Sequence, residues 1–233
     1  MKTLCSNQVP NRRHFLQAGL AGAVVGCFAG ALELAAPLQL CAQSTLAPDA
    51  ALAQLFDGNK RFNSGRLTAH EQDLAILKQS TVEKQEPFAA VLSCADSRVP
   101  AELVFDQSIG HIFVTRVAGN VVTPEIIGSL EYGAAVLGTK VILVMGHSGC
   151  GAVKAAIQGK EVPGQISALF PHIQAAIDQS GPDLVAATKA NAKIQAALLR
   201  EASPLLSGLV KESKLKVVAG YYDLGTGAVE LVT

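Results

Sequence analysis

The fold is decided by the stretch Lys140-Val-Ile-Leu-Val-Met145, which leads directly into Gly146-His147-Ser148-Gly149-Cys150-Gly151. Residues 140–145 form a short and almost entirely apolar run, which is typical of a buried strand in a parallel sheet. His147 stands just past the predicted end of this strand, and residues 149–151 open a helix predicted over 152–158. A strand that passes through a glycine-rich turn into a helix indicates an α/β layered domain.

A second apolar run, residues 88–93, ends immediately before Cys94-Ala-Asp96-Ser-Arg98. Its length and composition predict another buried parallel strand. In open α/β sheets, sites form outside the carboxyl ends of the strands. If the two strands are neighbours in a parallel sheet, their ends lie about 5 Å apart. We therefore expect Cys94, His147 and Cys150 to reach a single metal ion.

The rest of the chain continues the alternation of strands and helices. Helical spacing predicts helices over 49–65, 73–77, 125–137, 164–181 and 183–201, a helical turn over 100–105, and Asp49 as the first N-cap. A further strand is predicted over 111–117, a turn over 118–120, and a terminal hairpin over 215–224 and 228–232. These elements predict an α/β fold with a mostly parallel central β-sheet flanked by helices.

The side chains at the two strand ends form a set of metal ligands. Zn²⁺ in proteins is held by Cys sulfur, His nitrogen and carboxylate oxygen in tetrahedral geometry. We predict a zinc ion bound by Cys94, His147 and Cys150, with Asp96 either as the fourth ligand or as a hydrogen-bond acceptor. The guanidinium of Arg98 suits a carboxylate, so Arg98 can hold Asp96 away from the metal. The fourth position would then be open, as it is in catalytic zinc sites.

The first 42 residues differ in composition from the rest and predict an export signal. Arg12-Arg13 precedes a mildly apolar run rich in Gly and Ala, which is typical of twin-arginine signals. We expect cleavage after Ala42, or otherwise after Ala31, and an exported, periplasmic domain over 43–233. Contact with a membrane would then be transient and made only through the signal.

The cleavage site decides how many cysteines the mature chain keeps. Three of the five Cys lie before residue 43, so cleavage after Ala42 leaves only Cys94 and Cys150. An exported pair of this kind would ordinarily form a disulfide, and two buried apolar thiols are a further alternative. Twin-arginine export carries folded proteins, so zinc loaded in the cytoplasm would occupy both thiolates before export. The alternatives to a cleaved signal are a membrane anchor over 15–32 and a lipoprotein signal ending at Cys27.

The composition argues against several classes of protein. Apolar residues are 49% and charged residues 16% of the chain, so a core forms easily and disorder is not expected. Lys+Arg and Asp+Glu are equal at 19 each, which leaves no basic excess for binding nucleic acid. Trp is absent and aromatics are 5%, which argues against a stacking platform for single-stranded nucleic acid.

The two metal-ligand segments resemble the zinc motifs of the β-class carbonic anhydrases. The segments are Cys94-Ala-Asp96-Ser-Arg98-Val-Pro100 and Gly146-His147-Ser-Gly-Cys150-Gly151. The resemblance extends to Gly58-Asn59-x-Arg61-Phe62, Phe113-Val-x-Arg116-x-Ala118-Gly119-Asn120, Leu130-Glu-Tyr132 and Tyr222-Asp223-x-x-Thr226-Gly227. It covers nearly all of the expected mature chain.

This resemblance implies reversible hydration of CO₂ to bicarbonate and a proton, through attack by a zinc-bound hydroxide. It also implies one zinc per subunit, a homodimer or a dimer of dimers, an active site at the subunit interface, and N-terminal helices that pack on a partner subunit. It assigns catalytic roles to Asp96 and Arg98, and substrate contacts to Gln85, Phe113, Tyr132 and Gly151.

The chain departs from the family pattern at His111, where an acidic residue is common, and at Val117, where Asn is common. The absence of Trp together with the presence of Gln85 indicates a member that bicarbonate does not inhibit allosterically. Two other functions stay open. One is hydrolysis of carbonyl sulfide or carbon disulfide on the same fold, and the other is a non-catalytic zinc protein with Asp96 as a permanent fourth ligand.

Overall fold

Five strands form one sheet in the computed structural model, which describes residues 44–69, 78–79, 81–82 and 84–233. The strands are β1 (Ala89–Ser93), β2 (Ile112–Arg116), β3 (Val141–His147), β4 (Lys216–Tyr222) and β5 (Val229–Leu231). Their order across the sheet is β2-β1-β3-β4-β5. The first four are mutually parallel, and β5 pairs antiparallel with β4. The predicted α/β fold with a mostly parallel sheet is confirmed.

Helices flank this sheet along the described part of the chain. The α-helices are α1 (Pro48–Asn63), α2 (Ala101–Val104), α3 (Pro124–Glu131), α4 (Gly151–Gln158), α5 (Phe170–Ser180), α6 (Leu184–Ala202) and α7 (Pro204–Lys211). A π-helix (Tyr132–Val136) directly follows α3, and 3₁₀-helices occupy Ala118–Asn120 and Gly164–Leu169.

The central strands carry apolar side chains alternately into two buried clusters. Val91 and Leu143 belong to the cluster that includes residues of α1 and α2. Leu92 and Val144 belong to the cluster that includes residues of α3, α6 and α7. Every residue of β1 and β3 is buried, because both faces of the sheet are covered. This explains why both strands are almost continuously apolar in sequence rather than alternating.

α1 is tied to its own subunit through the buried side chain of Asn59. The Asn59 Nδ2 donates to the carbonyl oxygen of Gly227 at 2.9 Å, and its Oδ1 accepts from the N–H of Val229 at 2.9 Å. The preceding residue must be glycine, since a Cβ on Gly58 would lie 1.8 Å from the carbonyl oxygen of Phe105. α1 therefore packs on the sheet of its own chain, and the contact of N-terminal helices with a partner subunit stays a prediction.

The segment after α1 is anchored by Asp106, a buried carboxylate in the left-handed region at φ 47°. It accepts hydrogen bonds from the N–H groups of Thr68 at 2.9 Å and Ala69 at 2.8 Å, and it pairs with Arg61 at 2.5 Å. Burial alone would raise the pKa of Asp106, but the hydrogen bonds from Ala69, Arg61 and Thr68 lower it to about 2. The carboxylate is thus ionised at neutral pH and holds this segment against the loop after α2.

Two predicted boundaries next to functional segments are corrected by the structure. α1 begins at Pro48, which is favoured in the first turn, so Asp49 lies inside the helix and Ala47 is the N-cap; the N-cap predicted at Asp49 is wrong. β3 runs two residues past its predicted end, because Gly146 and His147 pair with β4. His147 therefore belongs to the strand instead of following it.

Three helical segments also differ from the prediction. The helix predicted over 125–137 is α-helical only to Glu131 and continues as the π-helix. The segment 164–181 divides into a 3₁₀-helix and α5. α7 was not predicted, because its 8 residues offer few periodic positions. Its start signals are nevertheless present, since the Ser203 Oγ accepts from the N–H of Leu206 at 3.0 Å and Pro204 is the first residue.

The helix predicted over 73–77 and the export signal predicted over 1–42 lie outside the described residues. The described residues all fall within one compact unit. None of the described helices combines the length and the hydrophobicity needed to cross a membrane.

Candidate metal centre

The two predicted ligand segments meet at the carboxyl edge of the sheet. β1 and β3 are parallel neighbours, with Ser93 in register with Met145. Cys94 directly follows β1, and His147 is the last residue of β3. Cys150 is the N-cap of α4. The expectation that these strand ends lie side by side is confirmed.

Cys94, His147 and Cys150 form a buried cluster of ligand atoms. Their two sulfurs and one imidazole nitrogen all lie within 4.8 Å of one another. His147 and Cys150 are fully buried, and Cys94 is almost so. Both cysteines are free thiols, so the alternative of a disulfide is wrong in this structure. Two cysteines and one histidine are a donor set that suits zinc.

The ring of His147 is oriented for metal binding. Its Nδ1 lies 3.0 Å from the carbonyl oxygen of Ser148. A carbonyl can only accept, so Nδ1 carries the proton and the lone pair is on Nε2; such a carbonyl partner is typical of metal-binding histidines. Within the described part of the chain, this buried Nε2 has no hydrogen-bond partner. An unsatisfied buried polar atom costs about 1–3 kcal/mol, which a metal ion on Nε2 would remove.

The two thiols affect each other's ionisation in opposite directions. The contact with Cys150 and the hydrogen bond from the N–H of Gly119 lower the pKa of Cys94, against the effect of burial. The same contact raises the pKa of Cys150, and burial raises it further. Ionising both sulfurs therefore requires a positive charge between them. Because zinc binds thiolates, a bound Zn²⁺ would meet this requirement and release the remaining proton.

Asp96 and Arg98 form a bidentate pair beside the cluster. The Arg98 Nε and Nη2 donate to the two carboxylate oxygens of Asp96 at 2.9 and 2.8 Å, and the Arg98 N–H donates at 2.9 Å. These contacts, with that of Arg98's side chain the largest, hold the pKa of Asp96 well below its usual range. The Asp96 Oδ2 lies 3.9 Å from the Nε2 of His147, so the carboxylate is close to the cluster while it is held by arginine.

Residues at the end of β2 and just after it support the cluster in ways that the motif pattern did not indicate. The N–H of Gly119 donates to the Cys94 sulfur at 3.3 Å, in a turn where Gly119 adopts φ 75°. Arg116 donates to the carbonyl oxygens of Cys94 and Asp96. Both residues lie inside the segment 113–120, whose resemblance to the family had assigned them no role at the metal cluster. The sequence contained one signal for these two residues: a strand paired in parallel with β1 must end beside Cys94, so the residues at its end lie near the cluster.

The residues expected to contact substrate are spread over the subunit. Gly151 is the first residue of α4 and adjoins Cys150, so it lies at the rim of the cluster. Gln85 is exposed and lines a separate cavity of about 200 Å³ together with Ile109 and His111. This cavity and the metal cluster have no residue in common.

Phe113 and Tyr132 lie together, but away from the metal ligands. Their ring centroids are 6.4 Å apart, and Tyr132 is 47% exposed. Phe113 is in register with Ala90, four residues before Cys94. Four strand residues span about 13 Å, so this aromatic pair lies well away from the metal cluster of its own chain.

Comparison with known proteins identifies the family. Residues 89–229, more than half of the chain, match the sequence profile described as carbonic anhydrase. Carbonic anhydrase 2 of Mycobacterium tuberculosis is 44% identical over 110 residues, which are 47% of this chain and 53% of that protein. The chain thus spans about half the length of this relative. A carbonic anhydrase of Mycolicibacterium smegmatis is 33% identical over 196 residues, covering 79% of this chain and 93% of that protein.

The fold agrees with this match. A tetrameric β-carbonic anhydrase of Sordaria macrospora superposes with a TM-score of 0.64 at 19% identity, covering 78% of this chain and 97% of that one. The chain belongs to the carbonic anhydrase family. Its fold is that of this β-carbonic anhydrase structure, and the Cys94–His147–Cys150 cluster could hold a metal ion.

Proposed function

We propose that the chain is a β-class carbonic anhydrase that reversibly hydrates CO₂ to bicarbonate and a proton. The observation that carries this proposal is the position of Asp96. Its carboxylate is held by Arg98 at 2.9 and 2.8 Å and does not join the three buried ligands. A zinc ion with three protein ligands keeps an open fourth position, which is the property of a catalytic site.

In this proposal each residue of the site has a separate role. Cys94, His147 and Cys150 would hold one Zn²⁺ per subunit. When bound, zinc supplies Lewis acidity, which makes water a nucleophile near neutral pH. Asp96, kept ionised by Arg98, accepts a hydrogen bond from the reacting water and orients it. Arg98 prevents the carboxylate of Asp96 from becoming the fourth ligand.

A second subunit would complete the substrate pocket. Gln85, Phe113 and Tyr132 are not gathered at the cluster of their own chain. Tyr132 and Ile109 expose 47% and 48% of their surface in the single subunit, so both side chains are available to a partner. We propose a homodimer, or a dimer of such dimers, in which these residues of one subunit face the metal cluster of the other.

Replacing Arg98 tests the catalytic role of the pair. With zinc bound, the wild-type chain should hydrate CO₂ in stopped-flow assays, and Arg98→Gln should lower kcat/KM by about 100-fold or more while retaining zinc. The pKa of Asp96 lies well below its usual range, so its protonation should not limit activity between about pH 6.5 and 9. Arg66→Gln, which removes an exposed arginine bonded to Ser64, is the matched control and should keep full activity.

Three outcomes would contradict this assignment. A wild-type protein with full zinc and no CO₂ hydration would support a non-catalytic zinc protein. Faster release of sulfide from carbonyl sulfide or carbon disulfide than hydration of CO₂ would support the hydrolase alternative. Full activity in Arg98→Gln would show that the catalytic role of Asp96 does not depend on Arg98.

Mixing two defective variants tests the shared pocket. Arg98→Gln damages the metal side of the site and Tyr132→Ala damages the pocket side. If each site draws on both subunits, a hybrid dimer has one intact site, so an equal mixture should recover about a quarter of wild-type activity. The contradicting result is no recovery after subunit exchange has been verified by mass spectrometry of the native dimers.

We further propose that the protein is exported to the periplasm through residues 1–42. The support is the pair Arg12-Arg13 followed by a mildly apolar run. Fractionation of cells that produce the full chain should find a shortened protein in the periplasm. Changing both arginines to lysine should retain it in the cytoplasm, and a wild-type chain that stays uncleaved in the cytoplasm would contradict export.

A further inference from the structure

Arg116 joins the end of β2 to the loop that carries two residues of the site. It is the last residue of β2 and is in register with Ser93, the last residue of β1. Its Nε donates to the carbonyl oxygen of Cys94 at 3.0 Å, and its Nη2 donates to the carbonyl oxygen of Asp96 at 2.5 Å. One planar guanidinium therefore spans two backbone carbonyls, a geometry that lysine or glutamine cannot reproduce.

Neighbouring contacts hold the same loop from the same side. The N–H of Val117 donates to the carbonyl oxygen of Ser93 at 3.1 Å, and the N–H of Gly119 donates to the sulfur of Cys94 at 3.3 Å. These bonds fix Ser93 and Cys94. Among the bonds of the described residues, Arg116 alone extends this support from β2 to Asp96, whose carbonyl oxygen also accepts from the N–H of Val99 within the loop at 3.1 Å.

This extension matters because Asp96 lies near two competing positions. Its Oδ2 is 3.9 Å from the Nε2 of His147, and two ligands of one tetrahedral zinc ion stand about 3.3 Å apart, so a small displacement would bring the carboxylate onto the metal. The competing partner, Arg98, has a side chain that is 56% exposed. Water screens this exposed guanidinium, so the hold of Arg98 on the carboxylate also depends on where the loop backbone places Asp96.

We propose that Arg116 is a positioning residue that keeps the site open. By fixing the backbone of Asp96, it keeps the carboxylate within reach of Arg98 and out of reach of the metal. Loss of Arg116 frees the loop to move toward the cluster, so Asp96 becomes the fourth ligand. This inference rests on the proposed function in assuming a metal with an exchangeable fourth position.

Cobalt substitution of the full chain tests the inference without relying on activity. Co²⁺ in the zinc site gives visible absorption that changes when an added anion enters the fourth position. Thiocyanate should shift the spectrum of the wild-type protein, and Arg116→Gln should bind thiocyanate at least about tenfold more weakly at equal cobalt content, because it loses charge-assisted hydrogen bonds. Arg200→Gln is the matched control, since Arg200 also donates to a backbone carbonyl, that of Val217 at 2.9 Å, and should behave as wild type.

A double variant distinguishes a site in which Asp96 occupies the fourth position from a loop that has lost its structure. Asp96→Asn removes the competing carboxylate, so adding it to Arg116→Gln should restore thiocyanate binding. The inference is overturned if Arg116→Gln binds thiocyanate as wild type does, if the double variant does not recover binding, or if wild type itself does not respond. Failure of the proposed function looks different: the spectra behave as expected while zinc-loaded wild type hydrates no CO₂.

Discussion

Two sulfurs and one imidazole nitrogen, buried within 4.8 Å of one another, impose the charge requirement on which the rest of the structure depends. Without a cation, Cys94 and Cys150 do not both ionise, because two adjacent thiolates repel each other and burial opposes their ionisation. The Nε2 of His147 has no hydrogen-bond partner among the described residues, although the ring is fixed through Ser148. A divalent cation would satisfy all three atoms at once, so the local fold is arranged around a position for a metal.

Different elements supply the ligands and control the fourth position. The parallel pairing of β1 with β3 brings Cys94 beside His147, and α4 begins at the turn that contributes Cys150. β2 contributes no ligand, but the segment from Arg116 to Gly119 holds the loop between Cys94 and Asp96. The affinity of the site for the metal and the accessibility of the fourth coordination position can therefore change separately. This separation gives Asp96 its role: it is a carboxylate kept next to the metal position and held back from it.

The sequence was sufficient for the ligands and for most of the sheet. Both central strands are almost continuously apolar runs, and each leads to a metal-binding residue type, so their adjacency could be inferred from the rule for parallel sheets. The sequence was insufficient where contacts between distant segments determine the structure. The pairing of His147 with Tyr222 extends β3, and the hydrogen bonds of Arg116 to two carbonyls leave no trace in spacing or hydropathy. The pocket residues Gln85, Phe113 and Tyr132 came from family resemblance, because nothing in one chain's periodicity places them.

X-ray absorption at the zinc edge tests the central claim most directly. The zinc-loaded wild-type chain should show one zinc with two sulfur neighbours at about 2.3 Å and two nitrogen or oxygen neighbours at about 2.0–2.1 Å. Asp96→Ala should leave this coordination unchanged, because the carboxylate is held by Arg98 and not by the metal. Fewer than two sulfur neighbours, or a zinc-edge spectrum of Asp96→Ala that differs from wild type because water has replaced a carboxylate ligand, would contradict the account of an open site held by Cys94, His147 and Cys150.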